Sequence, residues 1–364
     1  MFSDFHGNGE TVTRVREMLA RDRFPHAVII AGPAGSGKYT LAQMIAKAMN
    51  CLERPEMDGL PEFCGKCSNC VRIGEADALE QRCDEAVETR ENLRETDKRE
   101  TRILIQTHPD VLIIPPDPPQ MMIKVDQVRR VRSDLYARPI EGRRRVYIFT
   151  TTALMKEAAN ALLKALEEPP EFSTMFLLAE NASVLLPTIR SRCITLQLVP
   201  LGSSEVEQYL AKRKPEWSAQ QRKLVARLSK GALGRAFTFD LAAFSGSRND
   251  ALIALRTAVD GNEHSELFRV TETYRAGAEG KEKTERFIGA MYSLLEDMLL
   301  IKGGVPELIR NIDIEKELQR LAASCDFGWI AGASDRLAEV ESGMRRNLLR
   351  SLSLDAFATS LEQV

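Results

Sequence analysis

The sequence predicts an α/β fold with a parallel sheet, followed by regions made only of helices. A short, apolar, β-branched segment at residues 27 to 31 leads through a glycine-rich loop into a helical pattern at 41 to 50. Three further apolar segments alternate with helical patterns, which is typical of a parallel sheet covered by helices. After residue 200 the strand patterns stop.

The elements follow the glycine loop in a regular order. A helical pattern at 11 to 20 precedes the first strand. The later strands are predicted at 111 to 114, 146 to 149 and 175 to 179, and the helices between them at 126 to 137 and 153 to 168. The chain therefore supplies one strand before each helix, as a parallel sheet requires.

A chain of 364 residues is too long for one ordinary core, so we expect more than one domain. The predicted division is an α/β domain at 1–200, with a cysteine-rich module at 51–74 and a charged insertion at 75–102, then a small helical domain at 201–242 and a helical domain at 243–364. The insertion is expected to be exposed, because its apolar content is low.

The composition narrows the class of protein. With 44% hydrophobic residues the chain can bury its cores, and its net charge of -2 gives no general attraction to nucleic acid or to acidic membranes. Residues 1 to 15 lack the pattern of an export signal, and no stretch is apolar enough for a membrane helix. We therefore expect a soluble cytoplasmic protein.

Residues 32 to 38, GPAGSGK, fit the phosphate-binding pattern G-x-x-x-x-G-K. Glycines allow backbone N–H groups to face phosphates, and the lysine reaches the terminal phosphates. A plain glycine turn is the alternative interpretation. The predicted nucleotide-binding residues here are Gly32, Gly35, Gly37, Lys38, Tyr39 and Thr40.

Tyr39 stands where this pattern has a serine or threonine whose hydroxyl binds Mg²⁺. Its phenol oxygen lies too far from its own backbone to take that role, and Thr40 points about 100° away around the helix. We expect the phosphates to fit and the metal site to be weakened.

Four of the seven cysteines are grouped in the spacing C-x12-C-x-x-C-x-x-C, at Cys51, Cys64, Cys67 and Cys70. Four thiolates in tight loops suit tetrahedral Zn²⁺ with no open position, so we predict a structural zinc site. A redox C-x-x-C pair is the alternative, but it leaves two cysteines unexplained. Cys83, Cys193 and Cys325 are interpreted as ordinary thiols.

Several runs carry a resemblance to a known family. PHAVIIAGPAGSGK at 25 to 38, NALLKALEEPP at 160 to 170, SRC at 191 to 193 and the four cysteines resemble the AAA+ subunits of the bacterial DNA polymerase III clamp loader. The pairing of LEEPP with SRC is highly specific, and the match covers roughly residues 1 to 240. The resemblance implies a RecA-like AAA+ domain, a small helical lid and a C-terminal collar that joins the subunits.

In this family the strand before NALLK ends in Asp-Glu, which holds Mg²⁺ and polarises the attacking water. Thr150 and Thr151 occupy those places here, and threonine cannot carry the negative charge that either role needs. Glu180 and Asn181 lie near the first sensor position, where the family usually has threonine. With Tyr39, these departures resemble the delta-prime class of subunit more than the gamma/tau class.

Two arginines receive roles from the resemblance. Arg192 of SRC matches an arginine finger that is presented to the γ-phosphate on a neighbouring subunit, with a solvated surface arginine as the alternative. Arg235 matches the second sensor, which folds down on nucleotide or else braces the domain junction. A further basic set fits either DNA contact or a solvated surface: Arg129, Arg130, Arg132, Arg143, Arg144 and Arg145.

The resemblance thus implies a non-hydrolysing stator, an accessory subunit of the DNA-directed DNA polymerase without a polymerase site. It would carry structural Zn²⁺, hold ATP or ADP without efficient hydrolysis, and help load the sliding clamp onto primed DNA. The implied partners are gamma/tau-type and delta-type loader subunits and, through the complex, the clamp and primed DNA, with no membrane. An active gamma/tau-like loader ATPase is one alternative, and a stand-alone zinc-dependent DNA-binding protein is another.

Overall fold

The computed structural model of the chain describes residues 1–21, 24–260, 269, 272–274 and 277–344. It divides into two compact units, one of residues 1–201 with 232–234 and the other of residues 202–231 with 235–364. The first unit contains the sheet, and the described part of the second is helical. Among the described residues, no helix is both long enough and apolar enough to cross a bilayer.

The strands of the first unit are short. They are β1 (Ala27–Ala31), β2 (Glu56–Met57), β3 (Leu60–Pro61), β4 (Ile105–His108), β5 (Val111–Ile114), β6 (Arg145–Phe149), β7 (Ser173–Ala179) and β8 (Ile194–Gln197). Strands β2 and β3 form a small antiparallel hairpin. The others form one sheet in the order β4-β5-β6-β7-β1-β8.

The sheet confirms the predicted fold class with one addition. Strands β5, β6, β7, β1 and β8 are parallel, whereas the edge strand β4 runs antiparallel to β5. Neither β4 nor β8 was predicted. The sequence of β4 is IQTH, and β8 buries only Leu196, so neither has the apolar run of an internal strand.

The helices of the first unit cover both faces of this sheet. They are α1 (Gly9–Ala20), α2 (Lys38–Asn50), α3 (Ser68–Gly74), α4 (Leu79–Glu91), α5 (Glu95–Glu100), α6 (Val125–Asp134), α7 (Lys156–Glu167) and α8 (Pro187–Arg190). Alternate residues of β1 face opposite sides. Val28 and Ile30 pack in the core that contains α1 and α2, and Ile29 packs in the core that contains α6 and α7.

The charged insertion is helical and is attached to the sheet domain by a buried ion pair. Arg90 of α4 pairs with Asp117, which follows β5 and has no exposed surface. Arg102 and Lys124 lie 3.8 and 3.6 Å from the second oxygen of Asp117. The insertion is therefore anchored by charge, and α4 contributes little apolar surface.

The described helices of the second unit are α9 (Ser203–Arg213), α10 (Ala219–Leu228), α11 (Leu233–Phe237, from Arg235 onward), α12 (Leu241–Asp260), α13 (Gly277–Lys302), α14 (Glu315–Ser324) and α15 (Phe327–Met344). Helix α13 packs against α12, α14 and α15 around a core that includes Leu255, Met291 and Leu318. Parts of the predicted 243–364 domain lie outside the described residues. The boundaries predicted at residues 200 and 242 stay predictions.

Asp110, between β4 and β5, organises the loop that leads into β6. Its carboxylate accepts hydrogen bonds from the backbone N–H groups of Ile140, Glu141 and Gly142 at 2.7, 2.8 and 2.6 Å. Burial by itself would raise the pKa of Asp110, but these three donors outweigh it and hold the pKa below its ordinary value. The ionised carboxylate thus stabilises the fold.

We expect Asp110→Asn to lower the free energy of unfolding of the first unit by about 1.5–3 kcal/mol at pH 7, since hydrogen bonds to an ionised group are lost. Because the folded pKa is depressed, the stabilisation is complete above the unfolded value of 3.8 and is lost as the pH falls through the folded value. Denaturant unfolding should therefore separate wild type from the variant at pH 7 and less so below pH 3.8. Asp126→Asn, at a half-exposed carboxylate, is the control, and an equal loss in both variants would contradict the role of Asp110.

Candidate functional site

The phosphate loop is positioned by β1 and α2. All five residues of β1 are buried, and the strand lies between β7 and β8. The N–H of Gly32 donates to the carbonyl of Ala179 at 3.1 Å, which continues the β7 pairing into the loop. Helix α2 begins at Lys38, so its free N–H groups face the loop, as anion binding requires.

Two glycines in the loop are required by geometry. A Cβ at Gly32 would lie 2.8 Å from the Ser36 hydroxyl and 2.9 Å from the Leu198 carbonyl oxygen. Gly37 caps α2 at a φ of +87°, a conformation that L-residues with side chains rarely adopt. The loop is therefore closely packed, and glycine is required at both positions.

The polar groups of the loop are suited to an anion. Within the described residues, the buried hydroxyl oxygen of Ser36 has no hydrogen-bond partner. The Lys38 ammonium donates to the carbonyl oxygens of Gly32 and Pro33 at 2.7 and 2.8 Å. Burial lowers the pKa of Lys38, and the charge of Glu180 acts in the opposite direction. Gly32, Gly35, Gly37 and Lys38 thus lie in one loop between β1 and α2, and their assignment to a phosphate stays a prediction.

The hydroxyl of Tyr39 makes its hydrogen bonds outside the glycine-rich loop. The phenol donates to the carbonyl of Ala76 at 2.6 Å and accepts from the Gln43 amide at 2.6 Å. Burial raises its pKa above the ordinary value. The hydroxyl is therefore committed to the segment after α3, while Thr40 next to it is exposed.

The ends of β6 and β7 supply different residues to the same edge of the sheet. Thr150 follows β6, and the Thr151 hydroxyl accepts a hydrogen bond from the N–H of Ala153 at 3.1 Å. Glu180 follows β7, the strand directly beside β1, and its charge acts on Lys38. The sequence alone indicated that Glu180 is near the first sensor position, and did not indicate that it lies beside Lys38. The strand order, which the sequence left open, is what brings it beside the loop.

The four predicted zinc ligands lie together. The Sγ atoms of Cys51, Cys64, Cys67 and Cys70 all lie within 4.8 Å of one another. A tetrahedral zinc with Zn–S bonds of about 2.3 Å separates sulfur atoms by about 3.8 Å, so the set fits this ion after small adjustments. No histidine or carboxylate belongs to this group among the described residues.

Local hydrogen bonds also fit thiolates. The N–H of Cys64 donates to the sulfur of Cys51 at 3.3 Å, and the N–H of Cys67 donates to that of Cys64 at 3.2 Å. Cys51 and Cys70 are buried, and burial raises the pKa of Cys70. A thiol in this environment ionises readily only beside a cation. The donor set therefore suits a closed, structural metal site.

Arg192 and Arg235 lie in different units. Arg192 follows α8 and is exposed, and it donates to the Thr188 carbonyl at 2.9 Å and lies 3.5 Å from the Glu167 carboxylate. Arg235 lies in α11 of the second unit and is exposed. Neither role given by the resemblance is tested by these contacts.

Five of the six other basic residues make contacts within the chain, and Arg132 is exposed. Arg129 pairs with Asp126 and Arg130 with Asp134, both within α6. The side chains of Arg143, Arg144 and Arg145 donate to backbone carbonyls of Met49, Cys51, Glu171 and Arg138. These contacts offer no support for a DNA-binding surface.

A sequence model of one family matches residues 7–202, and its description is "DNA polymerase III, delta subunit". The DNA polymerase III subunit delta' of Pseudomonas aeruginosa is 32% identical over 218 residues, covering 59% of this chain and 56% of that protein. The Bacillus subtilis subunit delta' is 30% identical over 193 residues, covering 53% and 47%.

A longer alignment exists with a second class of subunit. The DNA polymerase III subunit tau of Escherichia coli is 26% identical over 356 residues, covering 88% of this chain and 50% of that protein. The chain spans about half the length of these curated relatives. A DNA polymerase III gamma subunit-related structure from Thermotoga maritima covers 96% of this chain and 98% of its own at 16% identity and a TM-score of 0.46, too low to bear on fold or function.

We expect metal analysis of the purified, reduced chain to find one zinc ion per chain. Cys70→Ser should abolish stoichiometric zinc binding, because a four-thiolate site loses a buried ligand. Cys83→Ser is the matched control, since Cys83 is half-buried and lies outside the cluster. Retention of zinc by Cys70→Ser, or its loss from Cys83→Ser, would contradict the assigned ligand set.

We expect Glu180→Gln to tighten nucleotide binding by up to about fivefold at low salt, because it removes a negative charge that acts on Lys38. Titration of the full chain with ADP and ATP in the presence of Mg²⁺ measures the effect. Glu171→Gln is the matched control, since Glu171 precedes β7 and Glu180 follows it. Weaker binding of Mg²⁺·ATP by Glu180→Gln would mean that Glu180 instead serves as a magnesium ligand.

Proposed function

Because the chain belongs to the DNA polymerase III delta-subunit family, as a clamp-loader subunit of the delta-prime kind, we propose that it is the non-hydrolysing stator of the loader. In this proposal it keeps the loader ring assembled, provides an arginine finger to a neighbouring subunit, and so helps place the sliding clamp on primed DNA. Its partners are then gamma/tau-type and delta-type subunits, and its location is the cytoplasm.

The observation that carries this proposal is a phosphate cradle without the groups of magnesium chemistry. The glycines and Lys38 are arranged for phosphates. The Tyr39 hydroxyl, however, is bound to the Ala76 carbonyl, and threonines follow β6 where carboxylates would anchor Mg²⁺ and orient water. ATP or ADP is then a bound ligand, and the chain turns over little of it.

Arg192 is suited to act on another subunit's nucleotide. Its guanidinium is permanently charged and partly exposed, and its ion pair with the half-exposed Glu167 is weak enough to be exchanged for a phosphate. A finger of this kind stabilises charge on the transferring γ-phosphoryl group without any catalytic group in its own chain. The role therefore remains available to a subunit that does not hydrolyse ATP itself.

The remaining predicted features belong to the same proposal. Zn²⁺ held by the four cysteines stabilises the first unit and takes no part in catalysis. Arg235, in the small helical domain at 201–242, acts as the second sensor on nucleotide or braces the domain junction. The helical domain at 243–364 is the collar that joins the loader subunits.

An active gamma/tau-like ATPase is the second candidate. Two observations favour it: the Glu180 carboxylate acts on Lys38, and the alignment with the tau subunit covers most of this chain. In that case Glu180, which follows β7, would have to bind Mg²⁺ or orient water in place of the carboxylates that are absent after β6. Its position is one strand away from the usual one, so we prefer the stator.

The proposal predicts that Arg192→Ala slows ATP hydrolysis by the reconstituted loader. An arginine finger accelerates hydrolysis by roughly 10³–10⁵-fold, so the site that it faces should become almost silent. Phosphate release with clamp and primed DNA measures the effect, with size-exclusion chromatography to show that the complex still assembles.

Arg190→Ala is the matched control, because Arg190 is exposed two residues earlier. An unchanged rate in the Arg192→Ala complex would remove the finger assignment. Wild-type chain alone should turn over far more slowly than about one ATP per second, the low end of ordinary enzymes, and faster turnover would favour the second candidate.

A further inference from the structure

One helix joins the two candidate sites of the first unit. Helix α2 begins at Lys38, in the phosphate loop, and ends at Asn50, directly before the cluster cysteine Cys51. Its 13 residues span about 20 Å at 1.5 Å per residue. A disturbance at the cluster therefore acts on a rigid element whose other end holds the loop.

One face of α2 is attached to the segment that follows α3. Tyr39, Gln43 and Lys47 are spaced four residues apart and so share one face of the helix. The Tyr39 hydroxyl donates to the Ala76 carbonyl, and the Lys47 ammonium lies 2.5 Å from the Asp77 carboxylate. Ala76 is buried. The segment after α3 is thus attached to α2 near the phosphate loop through Tyr39 and in the last turn of the helix through Lys47.

The opposite end of α2 is attached to the same module. The Asn69 amide donates to the Asn50 carbonyl at 3.0 Å, and Cys70 in α3 belongs to the cluster with Cys51. Ile73 packs in the core that α2 shares. Helix α3 is therefore held to α2 both at the metal ligands and through Tyr39, with one continuous stretch of chain between them.

From this geometry we propose that Tyr39 is a positioning residue that couples metal binding at the four cysteines to the order of the phosphate loop. The inference rests on the zinc site of the proposed function. When the cysteines hold a metal, the segment through Ala76 is fixed, its carbonyl holds the phenol, and the first turn of α2 is fixed with Lys38. When the metal is removed, this support is lost.

The coupling gives Tyr39 a function different from that of the serine or threonine whose place it takes in the phosphate-binding pattern. A serine or threonine at this position would reach a nucleotide-bound Mg²⁺, but its side chain would be too short to reach Ala76. By linkage the effect is reciprocal, so phosphate binding tightens metal binding by the same factor. Coupling between two sites is typically worth roughly 5- to 150-fold in affinity.

Hydrogen exchange of the full-length chain tests the proposal without requiring nucleotide. Zinc-loaded and chelator-treated reduced protein are compared for peptides over residues 32 to 41 and over β6, which serves as the internal reference. Metal removal should speed exchange in the loop peptide by at least fivefold and leave β6 nearly unchanged. In Tyr39→Phe the loop peptide should exchange rapidly in both states.

Tyr136→Phe is the matched control, because the exposed Tyr136 hydroxyl also bonds a backbone carbonyl, that of Glu168, at 3.3 Å. It should keep the wild-type dependence on metal. Tyr39→Thr, which shortens the side chain, should behave as Tyr39→Phe and replaces it if that variant does not fold. Thermal unfolding measured in parallel separates general destabilisation from loss of coupling.

The outcomes are distinct. A chain that binds zinc but shows the same loop exchange with and without it overturns the coupling and leaves the proposed zinc site intact. Persistence of the metal effect in Tyr39→Phe and Tyr39→Thr overturns the role of Tyr39. A chain without zinc overturns both this inference and the zinc part of the proposed function. Failure to bind nucleotide overturns the nucleotide part of the proposed function and leaves the coupling between metal and loop order intact.

Discussion

The complete burial of β1 is the constraint on which the first unit depends. Because β1 is covered on both faces and paired on both edges, its end is fixed, and the chain has to turn sharply through Gly32 to reach α2. The same pairing sets the end of β7 beside the loop. The burial of five apolar residues therefore determines that Glu180, which follows β7, lies beside the loop that carries Lys38.

The loop after β1 carries the glycines and lysine of the phosphate pattern, whereas Tyr39, Thr150 and Thr151 stand where the proposed function lacks a hydroxyl and carboxylates for Mg²⁺. Two of these side chains have contacts within the fold: the Tyr39 phenol ties α2 to the segment after α3, and the Thr151 hydroxyl accepts from the N–H of Ala153 before α7. Under the proposed function, they support the fold in place of binding metal.

Elements with strong apolar patterns were predictable from sequence, as were sites defined by spacing. β1, β5, β6, β7, α2, α6 and α7 all appear where periodicity indicated them, and the four cysteines meet as their spacing required. The sequence pattern did not predict β4 and β8, because these strands contain few apolar residues and are held in the sheet by backbone pairing. The partners of Tyr39 and Glu180 were also hidden, since one is a backbone carbonyl and the other depends on strand order.

The buried pair between Arg90 and Asp117 has an evolutionary consequence. Asp117 has no exposed surface, and a shorter chain without the segment at 75–102 would lose Arg90 and Arg102 and keep only Lys124 among the three cations near its carboxylate. Breaking a buried ion pair by removing one partner is strongly destabilising. Trimming that segment is therefore not a neutral deletion, and natural variants that lack it should have replaced the aspartate with an uncharged residue as well.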